Sequence, residues 1–162
     1  MTKLICFTAI LLSGCLPELD TYYSQFKIDD RLTIDLIAVD ENTVMDPCFV
    51  ENLSAYADEY YRRIGRNPPK TRLFVYVVHN PDAKIAGRFE PPSRAHMIDE
   101  WHPLGIFGHE LTRFTCWHTG ECVWNQDPYD WSGLVGEWWN IGETLAVEMC
   151  GSAAPVSHKI VW

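Results

Sequence analysis

Two strand-like runs separated by a helical pattern limit the fold of this chain more than any other sequence feature. Residues 32–39 (LTIDLIAV) alternate in polarity and are rich in β-branched side chains, which predicts a strand. Residues 73–78 (LFVYVV) predict a second, buried strand. Between them, apolar side chains recur at three- and four-residue spacing from position 49 to 64, which predicts a helix. Strand, helix and strand in this order favour a right-handed crossover and a parallel pair.

Capping residues indicate where the helices begin and end. Asp46 offers an N-cap acceptor immediately before Pro47, and Gly65 suits a left-handed C-cap. Positions 80–92 predict a loop with one edge strand around 84–89. A second helix is expected from about 103 to 119, and a third from about 134 or 138 to 149. The predicted fold class is therefore α/β (α+β), a small sheet followed by two helices that pack as a pair.

The amino terminus predicts export. Lys3 precedes a mostly apolar run over residues 4–12, which is far shorter than the roughly 20 residues of a membrane-spanning helix. The Leu-Ser-Gly-Cys segment that ends at Cys15 resembles the lipobox of bacterial lipoproteins, which implies removal of residues 1–14 and acylation of Cys15. The alternative is an ordinary secretory signal with a chance cysteine. Residues 15–30 are expected to form a lipid-anchored tether and residues 31–162 one domain.

The predicted location follows from the same resemblance. Leu16, rather than Asp, follows the cysteine, which favours the outer membrane if the envelope is Gram-negative. The formal net charge of −9 at pH 7 suggests neither a nucleic-acid partner nor an anionic membrane surface. The lipid on Cys15 is therefore the predicted contact with the membrane.

Four cysteines remain in the predicted domain, at positions 48, 116, 122 and 150. An even number in an oxidising compartment predicts two disulfides, with three pairings to choose from. Cys116 and Cys122 are close enough in sequence to close a small loop, which would leave Cys48 with Cys150. A zinc site of all four is the alternative, although the chain has no Cys-x-x-Cys pair.

A His-Glu pair on the second predicted helix is the main candidate for chemistry. Residues 108–113 read GHELTR, so His109 and Glu110 are adjacent. A zinc peptidase helix needs His-Glu-x-x-His, because histidines four residues apart share one face and the glutamate polarises the metal-bound water. Arg113 stands where the second histidine of that motif would be.

The third predicted helix carries a glutamate segment that complements the His-Glu pair of the second predicted helix. Residues 139–146 read WNIGETLA, and Glu143 lies about 34 positions after His109. The stretch from about 46 to 151 resembles the gluzincin-type metallopeptidases, in which a later helix with a Glu-Gly-Leu-Ala-like segment gives the third zinc ligand. The resemblance implies a zincin-like domain with a short sheet packed on a His-Glu helix and a following Glu-bearing helix. It also implies His109 and Glu143 as zinc ligands and Glu110 as general base.

Arg113 departs from the family pattern. A guanidinium stays protonated and offers no lone pair to a metal, so two protein ligands remain where catalytic zinc has three and a water. His118 is a candidate substitute ligand if the second helix ends near residue 115. Alternatively, Arg113 replaces the metal electrostatically and pairs with Glu110 and Glu143, in which case zinc is absent or weakly bound.

Three functions are compatible with these residues. The preferred prediction is an envelope lipoprotein with a metal-free or catalytically impaired metallopeptidase-like domain. The first alternative is an active zinc peptidase that uses His109, Glu143 and a substitute such as His118. The second is a non-enzymatic envelope binding protein, in which the acids and histidines are ordinary helix residues. No residue identifies a peptide substrate or a protein partner, and the resemblance suggests a truncated copy because such relatives continue into further helices.

Overall fold

The computed structural model describes residues 22–99, 102–125 and 133–151. The predicted signal peptide, Cys15 and the first part of the predicted tether lie outside these ranges. No helix within the described ranges is both long and apolar enough to span a bilayer. The helices and strands follow the order β1 Tyr23–Ile28, β2 Leu32–Ala38, α1 Pro47–Ile64, β3 Thr71–Val78, β4 Gly87–Glu90, β5 Arg94–Ile98, α2 Pro103–Thr119 and α3 Leu134–Cys150.

The strands form one five-stranded sheet in the order β1-β2-β3-β5-β4. β2, β3 and β5 run parallel, and β1 and β4 lie antiparallel at the two edges. The strand–helix–strand unit predicted from the sequence is confirmed as β2-α1-β3 with a parallel pair. The mixed α/β class is likewise confirmed.

The helix ends agree with the capping residues. Asp46 accepts a hydrogen bond from the Phe49 backbone N–H at 2.8 Å, and Gly65 adopts φ 68° at the carboxyl end of α1. Gly120 and Gly151 also have positive φ and follow α2 and α3. Each helix therefore ends at a glycine, which adopts the left-handed conformation without the steric cost of a Cβ.

Two strands depart from the expectations. Residues 23–28 form β1, so the tether predicted to reach residue 30 is wrong over that part. β5 follows the predicted loop and was not expected from the sequence, whereas β4 falls close to the predicted edge strand. Both β1 and β5 are short and bury few large apolar residues, which gives them a weak sequence signal.

The sheet has one covered and one uncovered face. Alternate strand residues such as Leu36 and Val75 join side chains of α1, α2 and α3 in one buried core. α3 packs on α1 and α2 rather than on the sheet, as the predicted helix pair requires. On the other face, which we call the outer face, no described helix or strand covers the sheet.

The described domain contains two disulfides. Cys48 at the start of α1 bonds to Cys150 at the end of α3, and Cys116 bonds to Cys122. The predicted pairing is confirmed, and the four-cysteine zinc site is wrong because all four thiols are consumed.

Candidate functional site

α2 brings the predicted site residues into the interior. Every residue over positions 103–116 is buried, including His109, Glu110 and Arg113. A helix buried on all sides must satisfy its polar side chains with neighbouring side chains rather than with bulk water. α3 supplies the partner of His109, and α2 itself supplies the partner of Glu110.

His109 pairs with Glu143 across the α2–α3 contact. The imidazole Nε2 lies 3.0 Å from Glu143 Oε1, and the side chains are 6% and 19% exposed. The Trp139 ring stacks on the imidazole with centroids 3.6 Å apart. Burial lowers the pKa of His109, and Arg113 lowers it further, while Glu143 opposes both. Because a carboxylate only accepts hydrogen bonds, the imidazole Nε2–H donates to Glu143.

Glu110 pairs with Arg113 on the same helix. Both carboxylate oxygens lie 3.1 Å from Arg113 Nη1, and the side chains are only 2% and 4% exposed. Burial raises the pKa of Glu110, although the arginine charge lowers it. The guanidinium also lies over the Trp139 ring, 5.5 Å from its centroid. Trp139 thus contacts both His109 and Arg113, which are four residues apart on one face of α2.

Glycines allow the close approach that brings these groups together. A Cβ at Gly142 would lie 2.9 Å from Tyr56 Oη and 3.6 Å from the Gly108 backbone. Tyr56 Oη donates a hydrogen bond to the Gly142 carbonyl at 2.7 Å. The contact between Gly108 on α2 and Gly142 on α3 fixes the register that sets Glu143 opposite His109.

The residues present do not fit a catalytic zinc ion. His109 and Glu143 provide two donor groups, but the third position carries Arg113, whose guanidinium repels a cation. His118 lies elsewhere: its Nε2 is 2.8 Å from the Pro92 carbonyl oxygen, and its ring packs on Phe114. Within the described ranges, no three His, Cys, Asp or Glu side chains are grouped so that they could hold a metal ion.

A cleft of about 680 Å³ lies beside this site, along the edge strand β4. Arg113 from α2, Phe89 from β4 and Trp124 contribute to its lining. Trp124 packs edge-on against Phe89 and against Trp117, with ring centroids 6.1 and 5.5 Å apart. The Cys116–Cys122 disulfide ends two residues before Trp124 and ties this wall of the cleft to α2.

The structure brings together four of the residues singled out from the sequence, in two pairs. His109 contacts Glu143 and Glu110 contacts Arg113, whereas neither pair of contacts includes His118. The sequence did not predict that Trp139 contacts both pairs. Its sequence signal is the spacing: Trp139 and Glu143 are four residues apart, as are His109 and Arg113, so each pair occupies one helix face.

The chain was also compared with models of known protein families, with characterised proteins and with solved structures, and none of them matches it. The resemblance to metallopeptidases therefore rests on the sequence motifs alone.

Proposed function

We propose that this chain is a lipid-anchored protein of the bacterial cell envelope whose metallopeptidase-like domain binds a polypeptide partner without metal and without cleaving it. The observation that carries the proposal is the Glu110–Arg113 ion pair, in which one guanidinium nitrogen lies 3.1 Å from both carboxylate oxygens. In the peptidases that the motif resembles, the equivalent glutamate must be free to polarise a water. Here the same carboxylate compensates a buried arginine.

The His109–Glu143 contact supports the same proposal. Zinc ligands must offer lone pairs to the metal, whereas these two groups satisfy each other at 3.0 Å. Trp139, which is 2% exposed, covers the imidazole and also contacts the guanidinium. Two donors and one buried cation form a stable arrangement without a metal ion.

The cleft beside β4 supports a binding role. β4 is an edge strand that pairs with β5 on one side, within the described part of the chain. Edge strands pair readily with an extended segment of another chain, and side-chain pockets along the strand give specificity. Phe89 and Trp124 provide such an apolar pocket. The partner class is therefore an extended polypeptide segment with a large apolar side chain.

Both disulfides are compatible with an exported protein. The anchor on Cys15 and the outer-membrane location come from the lipobox resemblance alone, and they belong to this proposal. A short anchored tether would hold the cleft near the membrane surface.

The metal-free reading is tested with the processed chain, residues 15–162, carrying Cys15→Ser and exported so that its disulfides form. Its zinc content, measured by mass spectrometry of the metal after purification without chelator, is expected to be well below one equivalent. Arg113→His should raise it to about one equivalent, because the new imidazole would join His109 and Glu143 as a third ligand.

The matched control is Arg113→Met, which removes the same charge but supplies no imidazole and should bind no zinc. Circular dichroism and the two disulfides verify that each variant is folded. Stoichiometric zinc in the unaltered chain, together with peptide cleavage that Glu110→Gln abolishes, would reject the proposal in favour of an active peptidase.

A further inference from the structure

The outer face of the sheet carries an ordered set of side chains, of which only Arg88 and Glu90 also line the proposed cleft. The strand register aligns these side chains in three rows across the sheet. The rows are Lys27, Thr33 and Arg72; Gln25, Asp35, Phe74, Arg94 and Glu90; and Tyr23, Ile37, Tyr76, His96 and Arg88. Except for Asp35, these residues are half-buried or exposed, so the rows form a surface.

The outer face is cationic although the chain is acidic. It holds four cationic side chains, Lys27, Arg72, Arg88 and Arg94, against the two carboxylates Asp35 and Glu90. Arg72 pairs with Asp35 and Arg88 with Glu90, so the excess on this face is two positive charges. The whole chain has 13 Lys and Arg against 22 Asp and Glu. The fold therefore concentrates positive charge on one side, and the negative excess lies elsewhere in the chain.

Asp35 compensates the charge of Arg72 and also holds its guanidinium at this face. Its carboxylate is 1% exposed and accepts hydrogen bonds from Tyr23, Gln25 and Arg72. Arg72 remains 54% exposed above it. The Asp35–Arg72 pair carries no net charge, but it positions a guanidinium and a phenol at the surface.

Aromatic rings lie among the cations. The Arg72 guanidinium lies over the Phe74 ring, 5.6 Å from its centroid, and the Tyr76 ring stacks on His96 at 5.2 Å. Tyr23 is 58% exposed at the start of β1. Tyrosine rings and long cationic side chains are the groups that favour the interfacial region of a bilayer.

The chain between the predicted anchor and the sheet is short. Tyr23, the first residue of β1, follows Cys15 by only eight positions. A fully extended chain of that length spans at most about 28 Å. An acyl chain on Cys15 would therefore keep β1, and the row that begins with Tyr23, within reach of the lipid headgroups.

We propose that the outer face docks on an anionic phospholipid bilayer. This inference rests on the lipid anchor of the proposed function. Acidic side chains of the helices lie across the sheet from this face, and physiological salt screens charges beyond about 8 Å, so they oppose docking weakly. The exposed acids Asp29 and Asp30 follow β1 and reduce the attraction at that end of the sheet. With the outer face on the membrane, the domain adopts one orientation, and the helices face away from the bilayer.

The test uses the processed chain with Cys15→Ser, so that no acyl chain contributes to binding. Sedimentation with vesicles is compared for phosphatidylcholine alone and for phosphatidylcholine with about one third phosphatidylglycerol, at a physiological ionic strength of about 0.15 M. We expect binding to the anionic vesicles only, and its loss at high salt. Lys27→Gln with Arg94→Gln should weaken binding about 25-fold, since each cation near an anionic surface contributes about fivefold.

The matched control is Arg62→Gln with Arg63→Gln, which changes the net charge by the same amount on the exposed side of α1. Its vesicle binding should change less than twofold. Equal losses in the two double variants, equal binding to both vesicle types, or no binding to anionic vesicles would each overturn the docking proposal. Mass spectrometry of the lipid on Cys15 in the unaltered exported chain tests the anchor separately.

Discussion

Asp35 and Glu110 are both buried carboxylates that pair with an arginine, but they lie on opposite sides of the sheet and in different environments. Asp35 is 1% exposed and its partner Arg72 is 54% exposed. Glu110 is 2% exposed and its partner Arg113 is only 4% exposed. The first pair can release its cation to water, whereas the second pair buries both charges.

Asp35 and Glu110 also differ in how many hydrogen-bond donors they have, and this changes the direction of their pKa shifts. Burial raises the pKa of Asp35, but hydrogen bonds from Tyr23, Gln25 and Arg72 outweigh it, and the net pKa is lowered. Burial raises the pKa of Glu110, and Arg113 alone does not reverse this. On the outer face, several neutral and charged hydrogen-bond donors stabilise the buried Asp35 carboxylate. In the interior, the Arg113 guanidinium stabilises the Glu110 carboxylate.

Removal of each acid tests this difference most directly. Glu110→Ala removes the carboxylate to which the buried Arg113 Nη1 donates, and should lower the free energy of unfolding by about 3–5 kcal/mol. Asp35→Ala frees Arg72 to solvent and should lower it by about 1–3 kcal/mol. Urea denaturation with the disulfides intact measures both. Equal losses would show that the exposure of the cation does not matter.

Crowding around Glu110 gives a second comparison. A Cβ at Gly87 would lie 2.7 Å from both Glu110 Oε1 and Ile106 Cγ2, so Gly87→Ala should lower the free energy of unfolding by about 1–3 kcal/mol. The control is Arg88→Ala on the same strand, because Arg88 points to the exposed outer face and should change stability by about 0.5 kcal/mol or less. If Gly87→Ala were as stable as the parent, β4 would be able to shift away from Glu110 without a loss of stability.

The pH dependence of stability should have opposite signs at the two acids. The folded-state pKa of Asp35 is lowered, so its contribution is present above its ordinary pKa of 3.8 and is lost as the pH falls through the lowered value. The folded-state pKa of Glu110 is raised, so its contribution is present below 4.5 and is lost as the pH rises through the raised value.

The corresponding variants are Asp35→Asn and Glu110→Gln. Asp35→Asn should flatten the acid limb of a plot of unfolding free energy against pH, and Glu110→Gln the limb above pH 4.5. Each effect is on the order of 1 kcal/mol per pKa unit. If both variants flattened the same limb, the assignment of opposite shifts would be wrong.

Much of the fold could be predicted because its signals are local. Asp46, Pro47 and Gly65 determine the ends of α1 through the conformations and hydrogen bonds that these residue types favour. The spacing of Cys116 and Cys122 favoured the observed disulfide pairing. β1 and β5 escaped prediction because a short strand at an edge, or one that follows a loop, buries too few apolar side chains to give a clear period.

The sequence by itself determined the helices, the parallel β2–β3 pair, the fold class and the residue types at the candidate site. Only the tertiary structure decided which partners those residues have. Arg113 pairs with Glu110, and Glu143 pairs with His109, because the glycine contact between α2 and α3 sets the helix register. Likewise, a net charge of −9 argued against an anionic surface, but strand register gathers four cations on one face. The composition gives the net charge, but the packing of the chain determines which charged side chains lie together.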